Sequence, residues 1–172
     1  MKKIEQNRLN ELLKIINIYP EIRIAHFSDG GDELIQYIND FCMKNNYEYQ
    51  VNCTDPDFYE HLSPKYEDRD KTRILNFNIA RPSYIMQGKK YDYVFLSNTT
   101  DDDFRGTFLK RVHAIIKNAG NIIIFTLKGG YIERDKWIAE LEEQYYVSSS
   151  IISDMFENYD VIVSRKMHGW GK

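Results

Sequence analysis

The sequence predicts an α/β three-layer sandwich whose mostly parallel sheet ends in a C-terminal antiparallel hairpin. Three observations predict it. Tyr93-Val94-Phe95-Leu96 and Ile122-Ile123-Ile124-Phe125 are nearly continuous apolar runs, the pattern of strands covered on both faces. Between them Phe104, Phe108, Val112, Ile115 and Ile116 recur at helical spacing, and Gly120 stands where a helix C-cap glycine belongs. A right-handed crossover then makes the two strands parallel members of one sheet. Finally, Tyr145 to Ile152 and Tyr159 to Lys166 are β-rich runs joined by Ser153 to Asn158, a short link that requires antiparallel pairing.

The remaining elements follow in chain order. Leu9, Leu12, Leu13 and Ile16 form a helical stripe, which predicts an N-terminal helix within residues 1–19, ended by Pro20. Arg23 to Phe27 reads as a short strand, followed by the polar turn Ser28-Asp29-Gly30-Gly31-Asp32. Leu34, Ile35, Ile38, Phe41 and Cys42 mark a second amphipathic helix, and Tyr49 to Cys53 the next strand, ending at Thr54-Asp55-Pro56. Residues 57–72 are polar and predict a surface loop or a short, weakly anchored helix. Arg73 to Asn78 is a further strand, and Ala80 to Ser83 a turn. Beyond Gly129-Gly130 a helix carries Trp137, Ile138, Leu141 and Tyr145. No repeat, low-complexity tract or linker interrupts this order, so residues 1–172 are expected to form one domain.

Composition narrows the partners. The net charge of −3 supplies no general attraction to nucleic acid or to an anionic membrane, so a small-molecule or protein substrate is expected and nucleic acid is disfavoured. A homodimer stays open. Charged and amide residues break the N-terminal stripe, unlike a signal peptide, and no apolar run reaches transmembrane length; the expected location is the cytoplasm, with no membrane partner. Cys42 and Cys53, without CxxC spacing, are expected to be reduced and buried. Asp101-Asp102-Asp103 reads as a helix start, where capping and the macrodipole favour acids, and no metal is expected. His26 lies within a strand and is expected to be a hydrogen-bonded core residue, whereas His113 is expected on the solvated side of its helix. The tail Lys166 to Lys172 exposes a Trp among glycines and reads as a frayed end or a docking tail.

Ligands of open α/β sheets bind beyond the C-terminal ends of the strands, where strand order reverses. In this chain those ends are Ser28 to Asp32, Thr54-Asp55, Asn76 to Ala80 and Ser97 to Thr100. Gly30 and Gly31 can take positive φ and admit a ligand close to the backbone just before a helix; the plainer reading is a turn with Asp32 as N-cap. Asp55 lies where an acid holds ribose hydroxyls in dinucleotide-binding folds, or is simply a turn Asp before Pro56.

The order of elements from Tyr91 to Lys166 resembles the class I S-adenosylmethionine-dependent methyltransferases, whose Rossmann-like sheet ends in a strand running against the others. Tyr91-Asp92-Tyr93-Val94-Phe95-Leu96 is similar to the family's "(F/Y)D-x-V" strand, and Leu109 to Gly120 to its helix leading to "LKPGG". The resemblance implies S-adenosylmethionine as cofactor. It implies that Ser28, Asp29, Gly30 and Gly31 meet the methionine end, Asp55 the ribose and Asn78 the adenine edge. It also places Ser97 and Asn98 where family members keep substrate-facing residues. Two features depart from the family: Ser28-Asp29-Gly30-Gly31-Asp32 replaces an acid followed by GxGxG, and Ile116 to Gly120 replaces the "LKPGG" turn. No (N/D)PP(Y/F) tetrad follows Leu96, so amino methylation of nucleic-acid bases is disfavoured. The competing expectation is a non-catalytic Rossmann-like binding protein without a working cofactor loop. A phospho-receiver domain fits less well, because the chain ends in a hairpin instead of a helix.

Overall fold

The computed structural model describes residues 1–85 and 88–169. Its strands are β1 (Arg23–Ser28), β2 (Glu48–Cys53), β3 (Thr72–Asn76), β4 (Tyr91–Ser97), β5 (Ile116–Leu127), β6 (Tyr146–Ile152) and β7 (Tyr159–Lys166). They form one sheet in the order β3-β2-β1-β4-β5-β7-β6. The first five are mutually parallel, and β7 runs antiparallel to both β5 and β6. From β1 the chain steps outward through β2 to β3, then returns to lay β4 on the other side of β1. The strand order therefore reverses between β1 and β4, which fixes the sheet edge where a cleft can open.

Alternation along the central strands builds the three layers. Tyr93, Phe95, Ile123 and Phe125 face one core together with Leu9 and Leu12 of α1 (Gln6–Leu13) and Leu34, Ile35 and Ile38 of α2 (Asp32–Asn45). Val94, Leu96, Ile122 and Ile124 face the other, against Phe108, Leu109 and Val112 of α4 (Asp102–Ile115) and Trp137 and Leu141 of α5 (Tyr131–Glu143). A strand with large apolar side chains on both faces cannot sit at a wet surface, so these strands occupy the middle of the sandwich.

Several expectations are corrected. The N-terminal helix spans Gln6–Leu13 and ends well before Pro20, and Met1 to Glu5 precede it outside any helix or strand. Residues 57–72 hold an anchored helix, α3 (Pro56–Leu62), because Phe58 and Leu62 are buried. Tyr145 leaves the helical stripe: it is half exposed at φ +64° and turns the chain from α5 into β6. Gly120 is not a helix cap. Helix α4 passes directly into β5 at Ile116, and Gly120 lies inside that strand beside a register shift against β4. Lys166 supplies the missing cap, its Nζ donating to the carbonyls of His113 at 2.8 Å and Ile116 at 2.9 Å. His113 is buried rather than solvated, its ring set edge-on to Tyr146. Of the tail, Trp170, Gly171 and Lys172 lie outside the described residues.

Candidate functional site

The turn after β1 is held by a continuous hydrogen-bond chain. Ser28 Oγ donates to the Gly30 carbonyl at 2.5 Å, so the 3.1 Å bond between Ser97 and Ser28 must use the Ser97 proton. His26 Nε2, 2.7 Å from Ser97 Oγ, is then the donor to it, and Nδ1 accepts from the Tyr49 hydroxyl at 2.7 Å. Every polar group in the chain is satisfied when the imidazole is neutral. Burial pushes the His26 pKa down to about 3, which keeps it so. His26 thus positions the turn through its neutral ring. A second tie crosses the strand-order reversal, the Thr99 backbone N–H donating to Asp29 Oδ2 at 2.7 Å.

Gly31 takes the left-handed conformation at φ +91°, and α2 begins with the next residue. Asp32, an N-cap candidate in the sequence, is the first helical residue instead; its carboxylate meets His61 Nε2 at 2.6 Å and Lys65 Nζ at 2.5 Å. Burial alone would raise the Asp32 pKa, but these two partners outweigh it and hold the carboxyl below its usual range.

The N-terminal strap lies over this turn. The Lys2 N–H donates to the Tyr159 hydroxyl at 2.6 Å, Asn158 Nδ2 to the Lys3 carbonyl at 3.1 Å, and the Glu157 N–H to Glu5 Oε1 at 3.1 Å. Met1 packs so closely on Gly31 that a Cβ there would stand 2.5 Å from its sulfur. A cavity of about 660 Å³ opens on the other side of the strap. Its floor is the ends of β4 and β5 (Ser97 to Thr100, Phe125 to Leu127), and its walls include Asp29, Glu133, Trp137 and Tyr159. Arg105, fully buried, stacks on Trp137 with its guanidinium 4.5 Å from the ring centroid and pairs with Glu133 and Asp102, stiffening that wall.

The structure brings Asp29, Ser97 and Asn98 together in one cavity, with Gly31 in a smaller adjoining one beneath Met1. Ser28 sits behind them, fully buried, as the turn's anchor. Asp55 and Asn78 stay apart from both cavities. Asp55 caps α3, its Oδ2 accepting from the Phe58 N–H at 2.9 Å, and Asn78 Oδ1 accepts from the Ala80 N–H at 2.9 Å in its own exposed turn. The acid run also has structural partners: Asp102 pairs with Arg105 and Lys136.

Sequence reasoning missed Lys2, Phe125, Glu133, Trp137 and Tyr159. Phe125 was within reach, since it lies near the C-terminal end of a parallel strand. Tyr159 was not, because only the insertion of β7 beside β5 carries its first residue to this edge.

No protein-family model matches the sequence, and neither does any curated protein. The fold does have solved relatives. It is similar to the CurJ carbon methyltransferase (TM-score 0.70, 15% identity), covering 92% of this chain and 52% of that one. An O-methyltransferase family protein from Burkholderia thailandensis gives a TM-score of 0.68 at 11% identity, with 96% of this chain and 57% of that one covered. The N-methyltransferase NodS from Bradyrhizobium japonicum WM9 gives 0.66 at 9%, with 94% and 93% covered. This chain therefore spans about half the length of CurJ and nearly all that of NodS. With its sheet order, terminal antiparallel strand and flanking helices, the chain has the class I methyltransferase fold.

Proposed function

We propose that the chain is an S-adenosylmethionine-dependent methyltransferase acting on a small molecule or a protein side chain. The observation that carries this reading is the placement of a 660 Å³ cavity at the reversal of strand order, beside a glycine turn that opens a helix. The turn fits the amino-acid end of the cofactor: Gly31 offers no side chain, and the first N–H groups of α2 are free of intrahelical partners there. Asp29, Gly30 and Gly31 would hold that end with Ser28 as the buried anchor behind them, and Ser97 and Asn98 would face the acceptor; a cofactor that extends from the cavity along the strand ends would meet Asp55 with its ribose and Asn78 with its adenine edge. The bound cofactor would supply an electrophilic methyl group. The chain's own share is to orient the acceptor in line and to exclude water with Trp137, Phe125 and Tyr159, work that needs no charged catalytic pair.

One observation favours a second reading, a non-catalytic binding protein: Met1 fills the space against Gly31. Calorimetric titration with S-adenosylmethionine and S-adenosylhomocysteine separates the two. Saturable binding is expected, and folded protein that gives no heat at millimolar ligand sinks the enzyme reading. Asp55→Asn keeps a capping residue on α3 and is expected to weaken binding by about 1–3 kcal/mol through the lost charge-assisted bond. An unchanged affinity would remove Asp55 from the ribose site.

A further inference from the structure

The N-terminal strap divides one cleft into two. Met1 and Lys2 belong to the walls of both cavities, the one of about 660 Å³ and the one of about 380 Å³ that Gly31 and the first residues of α2 close from the other side. Among the described residues only these two are common to both linings. Lifting the strap therefore joins the cavities into one cleft, running from the start of α2 to the ends of β4 and β5.

The contact with the turn has a definite chemistry. Met1 lays a thioether over Gly31, its sulfur 2.5 Å and its Cγ 3.5 Å from the point where a Cβ would stand. The Met1 main-chain nitrogen lies 3.5 Å from the corresponding point on Gly30. The amino-acid part of S-adenosylmethionine is itself a methionine, so the strap puts that side chain on the turn assigned to hold it. In close packing, no second carbon skeleton fits on this face of Gly31 while Met1 is there. The hold on the strap is light. Met1, Lys2 and Lys3 are exposed, and the first apolar anchor is Ile4, buried in the core. Ahead of Ile4 the strap is fastened by the Lys2 N–H on the Tyr159 hydroxyl and by Asn158 Nδ2 on the Lys3 carbonyl. A segment with so few buried apolar contacts belongs to the low-cost end of local opening.

We propose that residues 1–3 are a tethered competitor of the cofactor: Met1 occupies the amino-acid subsite when the strap is closed, Ile4 is the hinge, and S-adenosylmethionine binds only the open state. This inference rests on the methyltransferase reading of the turn. The apparent affinity is then that of the open turn reduced by the fraction open, and the bonds holding the strap set that fraction. The cofactor displaces Met1 because it brings a free carboxylate, whereas the Met1 carbonyl is tied into the peptide bond to Lys2. The unpaired N–H groups at the start of α2 favour the charged oxygens.

The test is calorimetric titration of S-adenosylhomocysteine into the intact chain and into two variants that cut one bond from either side, Lys2→Pro and Tyr159→Phe. Each variant is expected to bind about fivefold tighter, the worth of one hydrogen bond in the closed state. Because both remove the same bond, the double variant gains no more than either alone. In protein carrying ¹³C-labelled methionine methyl groups, the Met1 signal is expected to move to a mobile, solvent-exposed position at saturation. Unchanged affinity in both variants, gains that add in the double variant, or a Met1 signal that stays put while ligand saturates would each overturn the strap assignment and leave the methyltransferase reading standing. Absence of binding to the folded intact chain and to both variants alike removes that reading, and the competitor with it.

Discussion

His26 shows how burial sets the chemistry of a single residue. Its imidazole is neutral in the folded protein, with a pKa pushed to about 3, whereas an unfolded histidine titrates near 6.5. The unfolded chain therefore takes up the proton first. The contribution of His26 is intact above about pH 6.5 and is lost as pH falls, by about 1.4 kcal/mol per pH unit, until the loss levels off near pH 3. His113, lowered to about 4, acts in the same direction over a narrower window. Urea unfolding at pH 7.5, 5.5 and 4.5 is expected to give midpoints that decrease in that order, and the His26 ring signals should stay untitrated down to pH 4. A His26 titration near pH 6.5 would contradict the buried chain from Tyr49 to Gly30. The strand pattern placed His26 in the core from sequence alone. His113 was misread because its helical position faces Tyr146, a residue 33 positions on, and no local periodicity reports that contact.

At the scale of elements, the junction of α4 and β5 tests the packing. A Cβ at Gly120 would stand 2.6 Å from Ile116 Cγ2 and 2.8 Å from the Asp92 carbonyl, and the second of these is backbone that cannot swing aside. Gly120→Ala is expected to cost about 1–3 kcal/mol in thermal or urea unfolding, the usual penalty for overpacking. A neutral result would mean that the strand end is looser than its contacts imply. Gly120 was visible in the sequence as a structural glycine, but helix cap and strand bulge both call for one, and only the pairing of β5 with β4 separates them. The strap makes a further test. Tyr159→Phe removes the hydroxyl that accepts from Lys2, which costs about 1 kcal/mol and loosens Met1 over the glycine turn. Under the proposed function, S-adenosylmethionine should then associate faster by stopped-flow fluorescence. An unchanged rate would show that the strap does not limit access.

For the whole molecule, the two thiols report on cooperativity. Cys42, within α2, and Cys53, the last residue of β2, are free and fully buried, and burial raises both pKa values, that of Cys53 to about 12. Native protein is expected to resist a thiol-specific disulfide reagent, both cysteines reacting together at the rate of global unfolding. Rapid reaction of one thiol in native buffer would reveal independent opening of that layer. By itself the sequence determined the sandwich, the parallel core strands, the terminal hairpin and the turn at Ser28 to Gly31, because each is written in local apolar periodicity and in glycine placement. Only the tertiary structure decided that β7 inserts between β5 and β6, that Met1 lies on Gly31, and that Met1 and Lys2 wall two cavities at once. These are contacts between residues distant in the chain, made when separate elements bury their apolar faces against one sheet, and no short window of sequence encodes them.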